Sequence, residues 1–300
     1  MNSHSVYQNA LRPTVTALSD TWLQIRAKPI LYILLWGTLA LAPVVVLNLL
    51  FSSLIETELT ALLEGFQNFA AFGNELPDFP PEIFNASLKL CGFYGIIWTI
   101  NALTTIYYGA VLAGTVSRFR QHVMPRYSIA LADGASRYME FFKAVLVSAW
   151  KIFWKPVVVI LAGSVLSAVS RQNLWFSISF FCSMFLTFTG IYRFGLGPFI
   201  LLSTKCRVQE SSTISMNFYS SHRPVVSMLF LCLVFLPVLI TLMLFSLFIG
   251  MSAYSGLGMI VLWLVQSLVQ FAIIMTFINF AMNTFQSTTE HNLDIPLAHQ

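Results

Sequence analysis

The sequence predicts an all-α fold, a polytopic transmembrane helical bundle with six spans arranged as three hairpins and cytoplasmic interfacial helices leading into them. Three observations predict it. Hydrophobic residues make up 57% of the 300 residues and charged residues only 9%, with mean hydropathy +0.76. A soluble domain carries about 25% charged residues and needs them to cover its surface, whereas lipid demands none. Six apolar runs reach the ~20 residues that a helix needs to cross a hydrocarbon core of ~30 Å. Finally, 14 of the 16 Lys and Arg fall in segments that such spans place on one side.

The runs divide the single membrane domain into a lead-in 1–28, first span 29–55, outer loop 56–89, second span 90–117, interfacial segment 118–150, third span 151–170, fourth span 174–192, cytoplasmic segment 193–224, fifth span 225–250, sixth span 259–282 and tail 283–300. Helices are expected because backbone in lipid must bond to itself, and the runs lack the period-two alternation of barrel strands. Only Lys89 and Arg171 fall on the side opposite the other cations. The basic side is expected to be cytoplasmic, with both termini inside. The first apolar run begins only near Pro29, after a polar stretch longer than a usual signal-peptide n-region, so no cleaved signal is expected.

Three stretches share an aromatic residue followed by a basic residue and proline, at Lys28-Pro29, Lys155-Pro156 and Arg223-Pro224. Proline suits a first helical turn, where its missing N–H costs nothing. The even-numbered spans share a T-x-I fragment at Thr104–Ile106, Thr189–Ile191 and Thr276–Ile278. Together these suggest three related hairpins. The best lead-in helix is Ala135 to Trp154, with Arg137, Glu140, Lys143, Ser148, Lys151 and Lys155 at helical spacing. Its polar stripe reads either as a solvated face or as a surface for anionic lipid. Leu11, Val15, Leu18, Trp22 and Ile25 mark a second helix of this kind. In the outer loop, Leu59, Leu62, Leu63, Phe66 and Phe69 predict a helix lying back on the membrane, and Gly73 to Pro81 is a turn-rich break.

Chemistry is sparse. No Asp or Glu lies inside a predicted span, which counts against proton-coupled transport. The five histidines and four cysteines are scattered without metal-ligand or redox spacing, and soluble-enzyme signatures are absent. No enzyme activity, cofactor, metal or nucleic-acid partner is expected. Asn101, Gln266 and Gln270 lie in spans, where they read as hydrogen bonds between helices or as part of a polar path. Gly109-x-x-x-Ala113 and Ala110-x-x-x-Gly114 read as packing ridges. Arg193 precedes Phe194-Gly195-Leu196-Gly197-Pro198, which should interrupt the helix. A cation beside a broken segment suits a lipid phosphate, and it equally suits a snorkelling arginine. Arg193, Asn101, Gln266, Gln270, Lys151 and Lys155 are therefore the candidate lipid or polar contacts.

Ser5-Val6-Tyr7, the run Gly109 to Gly114, Ser128 to Leu131 with Gly134-Ala135-Ser136, and Gly197 to Leu201 leading into Ser211 to Arg223 resemble the YciC-type family of six-span bacterial inner-membrane proteins. More distantly they resemble the membrane domain attached to some glycerophosphodiester phosphodiesterases, whose catalytic domain has no counterpart here. The resemblance implies a six-span helical protein of the bacterial cytoplasmic membrane and supplies no catalytic residue. The function expected is non-enzymatic, in envelope or membrane homeostasis or assembly, with the bilayer and its anionic headgroups as partners. The alternative is a transporter or channel for a lipid or weakly polar solute.

Overall fold

The computed structural model describes residues 3–71, 81–123, 125–170, 172–204, 206–237, 239, 243 and 256–286. The chain is an all-α bundle, and no strand occurs among the described residues. Among the described residues five helices are long and apolar enough to cross a membrane, and six if the bent pair Val208–Ser221 and Arg223–Phe235, which turns by 107°, counts as one span. Of the predicted fifth span, Val225 to Gly250, residues 238, 240–242 and 244–250 lie outside the described residues.

Helix α1 (Ser3–Ala27) stops at Lys28, where the backbone leaves the helical region (φ −145°), and α2 (Pro29–Trp36) begins at once with Pro29 in its first turn. A π-helical turn, Gly37–Leu41, leads into α3 (Ala42–Ala71) without a break. Helix α1 is amphipathic in the sense that suits lipid. Val15, Leu18, Trp22 and Leu23 face outward, while Ala10, Thr14, Ala17, Thr21 and Gln24 are buried. Thr14, Thr21 and Gln24 of this lead-in helix are thus turned into the bundle, while Arg12, Thr16, Ser19 and Arg26 are exposed. The outward apolar residues have no protein partner to gain, so the small and hydrogen-bonding residues make the helix–helix contact.

No break separates the first span from the helix predicted in the outer loop; the Phe66 and Phe69 side chains and residues 72–80, where the turn-rich break from Gly73 was expected, lie outside the described residues. Helix α3 runs unbroken to Ala71 and pairs with α4 (Pro81–Arg120) in an antiparallel hairpin. Phe51 meets Phe93, Glu58 accepts from Lys89 at 2.8 Å, and Gly65 lies against Ile83. On α3 these three contacts recur every seventh residue, and on α4 the buried Ile83, Ala86, Leu90 and Ile97 follow the same coiled-coil spacing. Leu62 is half-buried and shares the paired face, whereas Leu59 and Leu63 are exposed. At 1.5 Å per residue the 40 residues of α4 extend ~60 Å, twice a hydrocarbon core, so part of this hairpin must stand beyond it.

Helix α5 (Tyr127–Ser170) is continuous through both the predicted interfacial segment and the third span. Pro156 therefore sits inside a helix and does not open one. A proline there removes one backbone bond, which membrane helices tolerate when neighbours compensate. Lys28-Pro29 and Arg223-Pro224 do lie at helix starts. Helix α6 (Asn173–Phe194) returns along α5 at close range. An added Cβ at Gly163 would stand 1.9 Å from the Ser179 hydroxyl, and one at Gly190 would stand 3.1 Å from the Ile152 Cα. The outward faces of this pair expose Val157, Leu161, Val165, Phe181 and Phe185 among others. So large a contiguous apolar surface suits a lipid environment and would drive aggregation in water.

A two-residue turn at Gly195-Leu196 separates α6 from α7 (Gly197–Ser203), followed by α8 (Val208–Ser221) and α9 (Arg223–Phe230). The glycines allow close approach. A Cβ on Gly195 would meet the Phe230 ring at 2.8 Å, and one on Gly197 the Ser148 hydroxyl at 3.0 Å. Helix α10 (Gly256–Ala281) is the hub. Its Phe271, Ile274, Met275 and Ile278 join one core with Tyr32, Leu35, Tyr108 and Val111. Its Phe277, Phe280 and Ala281 join a second with Ala17, Leu196, Ile200 and Leu229. The glycine ridges of α4 pack on α5, with Gly109 against the Phe141 ring and Gly114 against Asp133.

Candidate functional site: a polar latch at the basic end

At the end of the bundle where most cations gather, α1, α4 and α10 meet through side-chain amides. Asn279 of α10 is fully buried. It accepts from Gln24 Nε2 at 2.9 Å and from Arg120 Nη2 at 3.4 Å. It donates to Gln24 Oε1 at 3.1 Å and to Thr21 Oγ1 at 3.0 Å. All four hydrogen-bonding positions of one amide are thereby used. The Thr21 hydroxyl passes its own proton to the Ala17 carbonyl at 2.9 Å.

Arg120, the last residue of α4, is also held by a short bond to Asn283 Oδ1. Asn283 Nδ2 in turn donates to Asp20 Oδ2 at 2.8 Å. The half-buried guanidinium and the carboxylate are thus joined through an amide. Two local features place these groups. A π-helical turn, Met282–Gln286, continues α10 and swings Asn283 toward α4, a kind of irregularity that recurs at functional positions. His122, in the left-handed region at φ 59°, turns the chain away after Arg120. Asp20, Gln24, Arg120, His122 and Asn283 line a cavity of about 450 Å³.

A second tie joins α4 to α5. Arg118 grips Asp133 with two bonds, Nη2 to Oδ1 at 2.9 Å and a shorter one from Nε to Oδ2. Such bidentate pairs are stronger and more directional than single ones. The Tyr107 hydroxyl donates to the Leu131 carbonyl at 3.1 Å beside it.

The six residues singled out from the sequence are not brought to one place. Gln270 donates to Thr105 Oγ1 at 2.7 Å, an inter-helix bond between α10 and α4. Gln266 is exposed. Asn101 has a buried Oδ1 with no hydrogen-bond partner among the described residues. Arg193 is exposed, and its carbonyl accepts from Ser215 Oγ at 2.8 Å. Lys151 donates to Ser212 Oγ and lies 5.5 Å from the centre of the Phe194 ring, while the exposed Lys155 lies 5.5 Å from that of Trp154. Lys151 thus tethers α5 to α8, whose buried Ser211, Ser212 and Ser215 let the helices approach. Four cavities among the described residues, two of them at the basic end, are lined by none of these six.

No family model, curated protein or solved structure matches this chain. Its candidate sites therefore rest on geometry. Asp20 and Gln24 escape a reading of the sequence; Arg120 enters it only as one of the 14 cations of the basic side, and Asn279 and Asn283 as polar residues of the sixth span with no partner assigned. One signal is present: Thr14, Ala17, Thr21 and Gln24 recur at helical spacing opposite an apolar stripe. Where lipid takes the greasy face, a small and polar stripe marks the face that packs.

Proposed function

We propose that the chain is a non-enzymatic multi-pass protein of the bacterial cytoplasmic membrane, with both termini in the cytoplasm, acting in envelope or membrane homeostasis in the manner of YciC-type proteins. One observation carries this reading: three carboxylates at the basic end spend hydrogen bonds on protein groups. Asp20 receives Asn283, Asp133 holds Arg118, and Glu210 accepts the Arg207 backbone N–H at 2.9 Å. Catalysis needs an acid or base left free to meet a substrate, whereas Asp20 and Asp133 fasten helices and Glu210 caps the start of α8. The cation-rich end suits the cytoplasmic leaflet, whose surface is anionic.

Reconstitution into sealed vesicles loaded with ions or small polar dyes tests it. Release at the rate of empty vesicles is expected, and robust solute flux would remove the proposal. The second reading, a conduit for a lipid or weakly polar solute, is favoured by the partnerless Asn101 Oδ1 and by the buried Tyr32 and Tyr108 hydroxyls, which have no partner among the described residues. Under that reading flux is present, and Asn101→Leu reduces it at least tenfold.

A further inference from the structure

A larger cavity, about 920 Å³, opens at the basic end between α5, the end of α4 and the α7–α8 connection. Arg137, Lys143 and Arg207 line it, with Glu140 as the one acid on its wall. Gln121 and Thr204 add polar groups, and Leu201, Leu202 and Val208 make part of the wall apolar. Two carboxylates lie near these cations without closing a salt bridge on them: Arg137 helps hold the Asp133 carboxyl low, and Glu210 accepts the Arg207 backbone N–H. Arg118 is paired with Asp133 and Arg120 is held by two asparagines, whereas Arg137, Lys143 and Arg207 have no salt bridge among the described residues. Asp133, one turn before Arg137, is already taken by Arg118. Like charges gathered around a hollow repel unless an anion occupies it. Cys206, half-buried on the same wall, has its thiol pushed up by burial, with the opposing bond from Thr204 and the Glu210 charge as smaller causes.

We infer that this cavity binds the phosphodiester of an anionic phospholipid from the adjoining leaflet. Arg137, Lys143 and Arg207 hold the phosphate, and the Leu201–Leu202 wall takes the glycerol and first methylenes. The apolar part of the wall favours a lipid over free phosphate, which has no use for it. The inference rests on the proposed placement of the basic end at a membrane surface. Its test is read in detergent and is independent of vesicle flux, so either can fail alone.

The purified full chain in neutral detergent is titrated with short-chain phosphatidylglycerol, short-chain phosphatidylcholine and inorganic phosphate, with bound ligand counted by native mass spectrometry. Phosphatidylglycerol is expected to bind tightest. Neutralising one cation, as in Arg207→Gln, weakens it about 5-fold, and the triple variant Arg137→Gln/Lys143→Gln/Arg207→Gln about 100-fold. Glu140→Gln removes the opposing carboxylate and strengthens binding several-fold, a gain that misfolding does not produce. Equal binding of the two lipids, or a triple variant as tight as wild type, overturns the site. Inorganic phosphate binding as tightly as phosphatidylglycerol overturns the lipid as its occupant. Unchanged affinity in Glu140→Gln removes the charge argument.

Discussion

Asn279→Leu is expected to destabilise the bundle by about 2–4 kcal/mol, the range for leaving buried polar groups and a part-buried charge without partners. A single hydrogen bond between membrane helices averages only ~0.6 kcal/mol, because a separated helix finds other partners. Asn279 differs in making four bonds at once at a position with no solvent access. Leucine there strands both ends of Gln24, frees the Thr21 oxygen and strips one oxygen from Arg120. Thr105→Val supplies the contrast, since it removes the single bond to Gln270 and should cost below ~1 kcal/mol. Thermal unfolding in one detergent compares the two. Trypsin gives an independent reading. Because the latch holds α1 against α10, cleavage at Arg26 should accelerate in Asn279→Leu and stay at the wild-type rate in Thr105→Val. Equal losses for both variants would show that the latch is ordinary packing.

Gly163→Ala is expected to cost about 2 kcal/mol, although alanine is the better helix former by ~1 kcal/mol. Space decides the sign. The new methyl would lie 1.9 Å from Ser179 Oγ and 2.2 Å from Ser179 Cβ, and no rotamer moves a Cβ. Ser179 makes the two shortest contacts and the Trp175 carbonyl oxygen a looser third at 3.1 Å, so Ser179→Gly in the same chain should restore most of the loss. The double-mutant cycle then reports a coupling of at least ~1 kcal/mol, beyond the few tenths expected for independent sites. Gly92, which has nothing within 4 Å of an added Cβ, provides the control: Gly92→Ala should be neutral or stabilising. An additive cycle would mean that α5 and α6 do not approach as closely as Gly163 and Ser179 require.

The spans are legible because lipid imposes a length and a composition on any segment that crosses it, and the run from Pro29 shows both. The segment beyond Ile55 is not legible in the same way. Leu59 and Leu63 look like anchors on a membrane surface, yet Leu62 and Gly65 share the seventh-residue rhythm that pairs α3 with α4. The rhythm becomes visible only when the second strand of the coil, Ile83 to Ile97, is laid beside it. Pro156 shows the limit of a local rule. The same basic-proline pair that opens α2 and α9 lies in the middle of α5, because helix continuity there is decided by the packing of α5 on α4 and α6. The latch is the least legible feature. Gln24 and Asn279 are 255 residues apart, and neither carries the charge that marks a functional site inside a membrane. Gln270 is visible as a polar residue in a span, and its partner Thr105 is not, since threonine is commonplace there. Arg193 draws notice through its glycines, which serve instead to admit the Phe230 ring and the Ser148 hydroxyl.

The latch, the cavity and the proposed role all require a bundle that crosses the membrane with its basic end inward, and single-cysteine accessibility tests that most directly. In a background where Cys91, Cys182, Cys206 and Cys232 are replaced, one cysteine is placed at His122, beside the latch, and another at Glu64, exposed on the α3–α4 hairpin. A membrane-impermeant maleimide applied to intact spheroplasts should label the Glu64→Cys chain and leave His122→Cys unlabelled, and inverted membrane vesicles should give the reverse. Labelling of His122→Cys from outside, or of both positions from one side, would contradict this arrangement.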